Sequence, residues 1–333
     1  MKVLYKQMMA GFAALALMTG CTLIDEDTSD CESHYRIDYR LSLELATRPE
    51  TAVRETLKEA SDAAAADALL DYLGNIFSDT VHDLDLSFYD VQADSARLHR
   101  EQHQVEAARA AYTIDLPAQR YMHLATANLR DNGVAALEAD DRCRRSRLQQ
   151  ERPDTVDSHR TGLFTARLPM ELHTDEDQEF SAVLYMANSA IALVADTLGS
   201  KIRNLDVVAK GFADGFSLCD STYRYGAFPV VRLDRLALSA PGEICTAAIT
   251  FPSRVSPLTR AETYFWEFRT YATLPSGKKT ETCLYIDEPL PAAGIKIVKV
   301  KVLDDGSVTP ADMKVGVNVT LDWNEGFNGN IDL

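Results

Sequence analysis

From residue 34 the chain alternates: Tyr35, Ile37, Tyr39, Leu41, Leu43 and Leu45 are interleaved with His34, Arg36, Asp38, Arg40, Ser42 and Glu44. A period of two held this long predicts a half-buried β-strand, because successive strand side chains point to opposite faces. At Pro49 the period changes. Val53, Leu57, Ala60, Ala64, Ala68, Leu69 and Leu73 fall on one helical face, with Pro49 in the first turn and Gly74 near the end. That spacing predicts one helix over about residues 50–75. Alternation returns at Leu84, Leu86 and Phe88, then at Tyr112, Ile114 and Leu116, and again over residues 121–129. Residues 132–159 lose the period and crowd Arg142, Arg144, Arg145, Arg147 and Arg152 around Cys143, predicting a long, partly helical connection. A strand pattern at 163–172 is followed by the polar run His173-Thr174-Asp175-Glu176-Asp177-Gln178-Glu179, the predicted boundary between two domains.

Beyond that boundary the pattern is all-β. Strands are predicted at 180–187, 190–195, 205–212, 230–236, 244–251, 264–273 and 279–286, with turns at Pro275-Ser276-Gly277 and Asp304-Asp305-Gly306. Within 295–303 the apolar phase changes between Ile297 and Val298, which predicts a bulge. The last alternation places Met313, Val315, Val317, Val319, Leu321 and Trp323 on one side, opposite Lys314, Gly316, Asn318, Thr320 and Asp322. One buried and one wet face are expected there. The reading is thus a mainly β protein of two sandwich domains, 32–174 and 175–333, with the helix inserted in the first.

The first 31 residues carry a different signal. Lys2 and Lys6 precede an apolar stretch at 8–18, and Gly20 precedes Cys21. A run of 11 residues is too short to span a bilayer, which takes roughly 20. The layout is that of a lipoprotein signal peptide over 1–20, cleaved to leave a lipidated Cys21 followed by an acidic tether at 21–31. Fatty acyl chains on one cysteine would hold the protein at a membrane surface. Of 34 Lys+Arg and 50 Asp+Glu, only Lys2 and Lys6 leave with the leader, so 32 against 50 gives a mature net charge of −18. Nucleic acid is excluded as an expected partner.

Candidate chemistry is sparse. The sequence has no Gly-x-Ser-x-Gly elbow, no P-loop and no zincin pair of histidines, so no catalytic set, cofactor site or metal site is assigned. His99 and His103 are four apart, within metal reach on a helix, but lack a base and are read as solvated loop residues. Asp83 and Asp85 share a strand face and are read as solvent-facing. Asp304-Asp305-Gly306-Ser307 is read as a turn rather than a calcium loop. Trp266 and Phe268, in Tyr264-Phe265-Trp266-Glu267-Phe268, suit a core better than a sugar platform. Cys31, Cys143, Cys219, Cys245 and Cys283 permit at most two disulfides, and their connectivity stays open.

Several segments together resemble the FimB-like anchor lipoproteins of type V fimbriae, which are built from fimbrillin subunits. They are Cys21; the run 23–31 leading into the strand at 35–45; Asp83-Leu84-Asp85-Leu86-Ser87-Phe88-Tyr89-Asp90; and Tyr121-Met122-His123-Leu124-Ala125-Thr126-Ala127-Asn128. Leu163-Phe164, Asp220-Ser221-Thr222-Tyr223 and Leu321-Asp322-Trp323-Asn324 continue the series in order over nearly the whole mature chain. The resemblance implies two transthyretin-like β-sandwiches in tandem and a non-enzymatic role seating a fimbrium at the outer membrane. It implies fimbrillin as partner, engaged by strand addition, with Met313, Val315, Val317, Val319, Leu321 and Trp323 as the segment to test. The alternative reading is a cell-surface lipoprotein that binds glycan or host protein.

Overall fold

The computed structural model describes residues 34–44, 48–78, 80–91, 96–105, 111–138, 141–150, 154–173, 178–226, 229–256, 263–311 and 315–321. Within them the chain is mainly β, arranged in four sheets. A seven-stranded sheet runs in the order Arg97–Gln104 (β3), Asp83–Asp90 (β2), Arg120–Ala127 (β5), Phe164–Glu171 (β9), Gln178–Met186 (β10), His34–Glu44 (β1) and Ala111–Pro117 (β4). A five-stranded sheet follows the order Asp234–Leu236 (β16), Glu243–Thr250 (β17), Ser189–Asp196 (β11), Ile295–Val302 (β20) and Val308–Pro310 (β21). A six-stranded sheet comprises Val315–Leu321 (β22), Lys279–Ile286 (β19), Trp266–Thr273 (β18), Asn204–Lys210 (β12), Val230–Arg232 (β15) and Thr155–Val156 (β8). The smallest joins Thr222–Arg224 (β14), Gly215–Ser217 (β13), Arg147–Gln150 (β7) and Ala135–Glu138 (β6). No helix of the described residues is long and apolar enough to cross a membrane.

In the largest sheet, β9 and β10 pair only through Phe164↔Met186 and Thr165↔Tyr185, so the sheet turns a corner there. Side chains of β1 and β5 consequently meet across the first core, where Ile37, Tyr39 and Ile114 pack with Leu86, Phe88, Tyr121 and Ala125. The Tyr39 hydroxyl lies 2.5 Å from His123 Nε2, and His123 Nδ1 lies 3.1 Å from the Ser87 carbonyl. A carbonyl only accepts, so Nδ1 carries the proton and Nε2 accepts from Tyr39.

The five- and six-stranded sheets enclose a second core, with Ile191, Leu193, Val298 and Val300 facing Val207, Trp266, Phe268 and Leu284. Trp266 is 1% exposed, and its Nε1 donates to the Glu288 carbonyl at 3.0 Å. Gly211, at φ +104°, lets the chain pass close beneath it: a Cβ there would sit 2.8 Å from Trp266 Cα. Residues of opposite parity on the five-stranded sheet, Ala192, Val194, Ala247 and Ile297, belong to the first core. This sheet is therefore buried on both faces. The phase change at Ile297 and Val298 follows from that, and not from the predicted bulge: the pairing of β20 with β11 runs without a shift from Ile295 to Lys301. A register shift is found instead in β2, between Phe88 and Tyr89.

The predicted helical segment is divided. Pro49–Thr56 (α1) and Ala63–Gly74 (α2) are separated by a 3-10 turn at Ala60–Asp62, entered through reciprocal capping bonds between Glu59 and Asp62. Lys299, on β20, reaches up to this turn and places Nζ 2.8 Å from Asp62 Oδ2 and 3.8 Å from Glu59 Oε2. Asp62 is almost wholly buried. Removing its counter-charge strands a carboxylate in the interior, so Lys299→Ala is expected to lower unfolding free energy by about 3 kcal/mol, with most of it regained in Lys299→Ala/Asp62→Asn. Urea unfolding of the two variants measures this, and equal losses in both would refute the coupling.

Other departures from expectation are local. Residues 230–236 divide between β15 and β16, which lie in different sheets. Residues 132–159 contain three short strands, β6, β7 and β8, and a 3-10 turn at Cys143–Arg145. The polar run after residue 172 leads from β9 into β10 of the same sheet, and β10 pairs in parallel with β1 from Ile37↔Gln178 to Glu44↔Tyr185.

Candidate strand-addition site

Strand β22 stands at the edge of the six-stranded sheet, paired antiparallel to β19 alone among the described residues. Its register puts Val315 opposite Ile286, Val317 opposite Leu284 and Val319 opposite Thr282. These valines thus lie on the face that, one and two strands inward, carries Leu284, Phe268 and Trp266. Val315 is buried, but Val317 and Val319 are 41% and 40% exposed. The expected dry face of the last alternation is therefore dry only at its start; at its middle an apolar stripe lies open beside a backbone edge that no described strand pairs with. Met313 and Trp323 lie outside the described residues, as do Cys21 and the segments predicted as leader and tether.

A second open edge lies close by. In the five-stranded sheet β21 covers only the end of β20, pairing Val300, Lys301 and Val302. The Ala311 amide extends this by one bond to the Lys299 carbonyl, at 2.9 Å. Ile295 to Val298 have β11 on one side and no described strand on the other. A groove of about 620 Å³ runs along this edge, floored by Ile295, Ile297 and Val298 and walled by Ala52 and Thr56 of α1 and by Val315 of β22. An uncovered strand edge exposes a row of backbone donors and acceptors at strand spacing, which is what a strand from another chain pairs with. Sequence reasoning found β22 through its alternation but missed the β20 edge. Only the pairing partner tells an edge from a centre, and an apolar run buried on both faces looks central.

The opposite face of the six-stranded sheet is polar and closed on itself. Arg269 Nε donates to Glu267 Oε1 at 2.6 Å, its Nη1 lies 3.6 Å from Glu281 Oε1, and the Tyr271 hydroxyl donates to the same Glu281 oxygen. Burial opposes the Arg269 charge, but the adjoining Glu267 carboxylate outweighs it and raises the guanidinium pKa. Burial and the Glu281 charge push the Tyr271 hydroxyl up to about 12.

The remaining sequence candidates are placed as follows. His99 and His103 are on a strand, β3, and each holds its Nε2 2.8 Å from one oxygen of Glu101, which lies between them on the same face. No group of three or more His, Cys, Asp or Glu among the described residues is placed to hold a metal ion. Asp85 does not face solvent, because β2 is covered on both sides. Its carboxylate accepts from Arg100 Nε at 2.9 Å, from Arg100 Nη2 and from Gln102 Nε2. Asp83 accepts the Leu129 and Arg130 amides. Trp266 and Phe268 are core residues, and Asp305 caps its own turn through the Ser307 amide and hydroxyl.

No family model matches the chain, and no curated protein matches it in sequence. Solved structures do match its fold. A candidate adhesin from Bacteroides ovatus superimposes with a TM-score of 0.52 at 10% identity, over 86% of this chain and 98% of that one. The fimbrial anchor protein Mfa2 from Porphyromonas gingivalis gives 0.50 at 11% identity, over 87% and 99%. This chain is similar in fold to a fimbrial anchor. A candidate polysaccharide-binding protein from Bacteroides thetaiotaomicron also matches, with a TM-score of 0.50 at 10% identity over 85% and 97%. At such identities the likeness is one of fold, and it spans nearly the whole of each neighbour, both halves of the anchor included.

Proposed function

We propose that the chain is a non-catalytic outer-membrane lipoprotein, anchor or accessory subunit of a fimbrium, that engages a fimbrillin subunit by β-strand addition. The observation that carries this reading is the pair of open edges, β22 with its uncovered Val317 and Val319 and β20 with its groove, on a fold shared with a fimbrial anchor. In this reading the described strands form two transthyretin-like sandwiches in tandem, 32–174 and 175–333, with β10 crossing from the second to complete the sheet of the first. Lipid on Cys21 holds the assembly to the membrane at the cell surface. The 13 residues from Cys21 to His34 span at most about 45 Å when extended, which keeps the first sandwich near the lipid. The glycan-binding alternative has less support, because of the aromatics that would serve it, Tyr264, Phe265, Trp266 and Phe268, the last two are internal.

The test is recovery of fimbrial subunits with the full chain from outer membranes. Val317→Lys/Val319→Lys places two charges on the open stripe; its expected effect is a drop of at least tenfold in subunit recovered, with unfolding free energy changed by less than about 1 kcal/mol. Unchanged recovery would remove β22 from the joint. If no fimbrial subunit accompanies the unaltered chain, and mass spectrometry finds no acylated Cys21, the reading as a whole fails.

A further inference from the structure

Between the two halves of the chain, two sulfur atoms meet. Cys143 opens the 3-10 turn at Cys143–Arg145 and Cys219 lies in the turn between β13 and β14, 76 residues on; their Sγ atoms are 2.8 Å apart. The backbone on both sides is fixed up to the cysteines. Strands β7 and β13 pair from Gly215↔Gln149 to Ser217↔Arg147. The ladder goes on with the Leu218 amide donating to the Ser146 carbonyl at 3.0 Å, and the Ser146 amide to the Cys143 carbonyl at 3.1 Å. Leu148, Phe216, Leu218 and Phe251 pack with Cys143 in a small separate core. A disulfide needs a sulfur separation of about 2.05 Å. At 2.8 Å the two sulfur atoms stand less than 1 Å beyond that separation.

We propose that Cys143 and Cys219 are a disulfide site, closed when the chain meets a disulfide oxidant. Cys219 is half-buried and Cys143 is 1% exposed, its thiol pushed up to about 12, first by burial and then by the neighbouring Cys219 sulfur. Attack therefore starts at Cys219, whose thiolate displaces one thiol from the oxidant and forms a mixed disulfide. Cys143 then attacks the Cys219 sulfur and displaces the second thiol. One S–S bond of the oxidant is lost and one is gained here, and the two cysteine protons finish on the released thiols. Cys245, buried on β17, and Cys283, on β19, stay as thiols in the described structure. The bond would close a long loop and tie β7, from the first half, to β13, from the second; restraint of so long a loop acts mainly on the unfolded chain.

The inference draws on the extracytoplasmic location proposed above for its oxidant in the cell, but its test does not. Purified full chain is equilibrated with oxidised glutathione, denatured, alkylated and mapped by mass spectrometry. The expected result is a linked peptide pair containing Cys143 and Cys219, two hydrogens lighter than its thiol form, and a melting temperature higher by roughly 5 °C than in dithiothreitol. Cys219→Ser, at the more exposed position, is expected to melt at the same temperature in both buffers, while Cys283→Ser keeps the difference. Alkylation of both thiols after oxidation, or a link from either one to another cysteine, would overturn the proposal. Because no membrane enters this experiment, such a failure would leave the location untouched.

Discussion

Lowering the pH from 7 to 5 is expected to remove about 4 kcal/mol of unfolding free energy, roughly half from His123 and half from His159. Both imidazoles are buried in the neutral form. Burial lowers His123 to about 4, against a smaller opposing effect from its bond to the Ser87 carbonyl, and lowers His159 to about 3. His159 packs edge-on against Phe251, and neither of its ring nitrogens meets a partner among the described residues. The unfolded chain takes up a proton at each near pH 6.5, whereas the folded chain does so only near 4 and 3. Between those limits the unfolded state binds more protons, so stability is full above pH 6.5 and falls as the pH drops. At pH 5 each histidine accounts for about 2 kcal/mol. Urea midpoints and slopes at the two pH values measure the sum. In His159→Leu the dependence is expected to halve, since a leucine has no proton to bind. Equal stability at pH 7 and pH 5 in the unaltered chain would show that these rings are accessible to solvent.

Trp266→Ala is expected to destabilise the chain by about 4 kcal/mol, the range for emptying a large aromatic site from a packed core. The indole is enclosed by Phe212 at 5.3 Å and Phe268 at 5.0 Å between ring centroids, and its loss also removes the hydrogen bond it donates to the Glu288 carbonyl. Denaturant unfolding of the variant decides the matter; a loss under 1 kcal/mol would place the side chain at the surface. The same burial bears on function. Loss of glycan binding in this variant would report loss of the second core rather than a sugar contact, so the half-buried pair Tyr264 and Tyr285, with ring centroids 4.4 Å apart, is the better place to look for stacking.

Alternation located the strands well where one face is wet. Strands β1 and β19 lie where their patterns put them, because a period of two is a record of one-sided burial. Where burial is two-sided the record blurs. β2 is covered on both faces, so Asp85 looked like a solvent residue while serving as the buried acceptor for Arg100 and Gln102. β20 divides its apolar residues between two cores, and the phase change read as a bulge. Elements of two to four residues, β6, β7, β8, β13 and β14, are too short to show any period, and two of them, β7 and β13, bring Cys143 to Cys219 by their pairing. The split of the predicted helix did have a signal, Glu59 and Asp62 at capping-box spacing, hidden by the continuous apolar face on either side. As for the candidate site, the sequence showed the last alternating strand, but neither its place at a sheet edge nor that its valines would stay uncovered. Exposure there depends on what lies across from them, and that is a property of the tertiary arrangement.

The parallel pairing of β1 with β10 has a consequence for how the molecule is made. Ile37 and its partner Gln178 are 141 residues apart, so a nascent chain delivers the first strand long before its neighbour exists. Until then β1 can zip only to β4, and the flank reserved for β10 stays available to any passing segment. Closing the first core is therefore a late, long-range event, slow by comparison with hairpin zipping. The first sheet stays incomplete until residues 178–185 have been made.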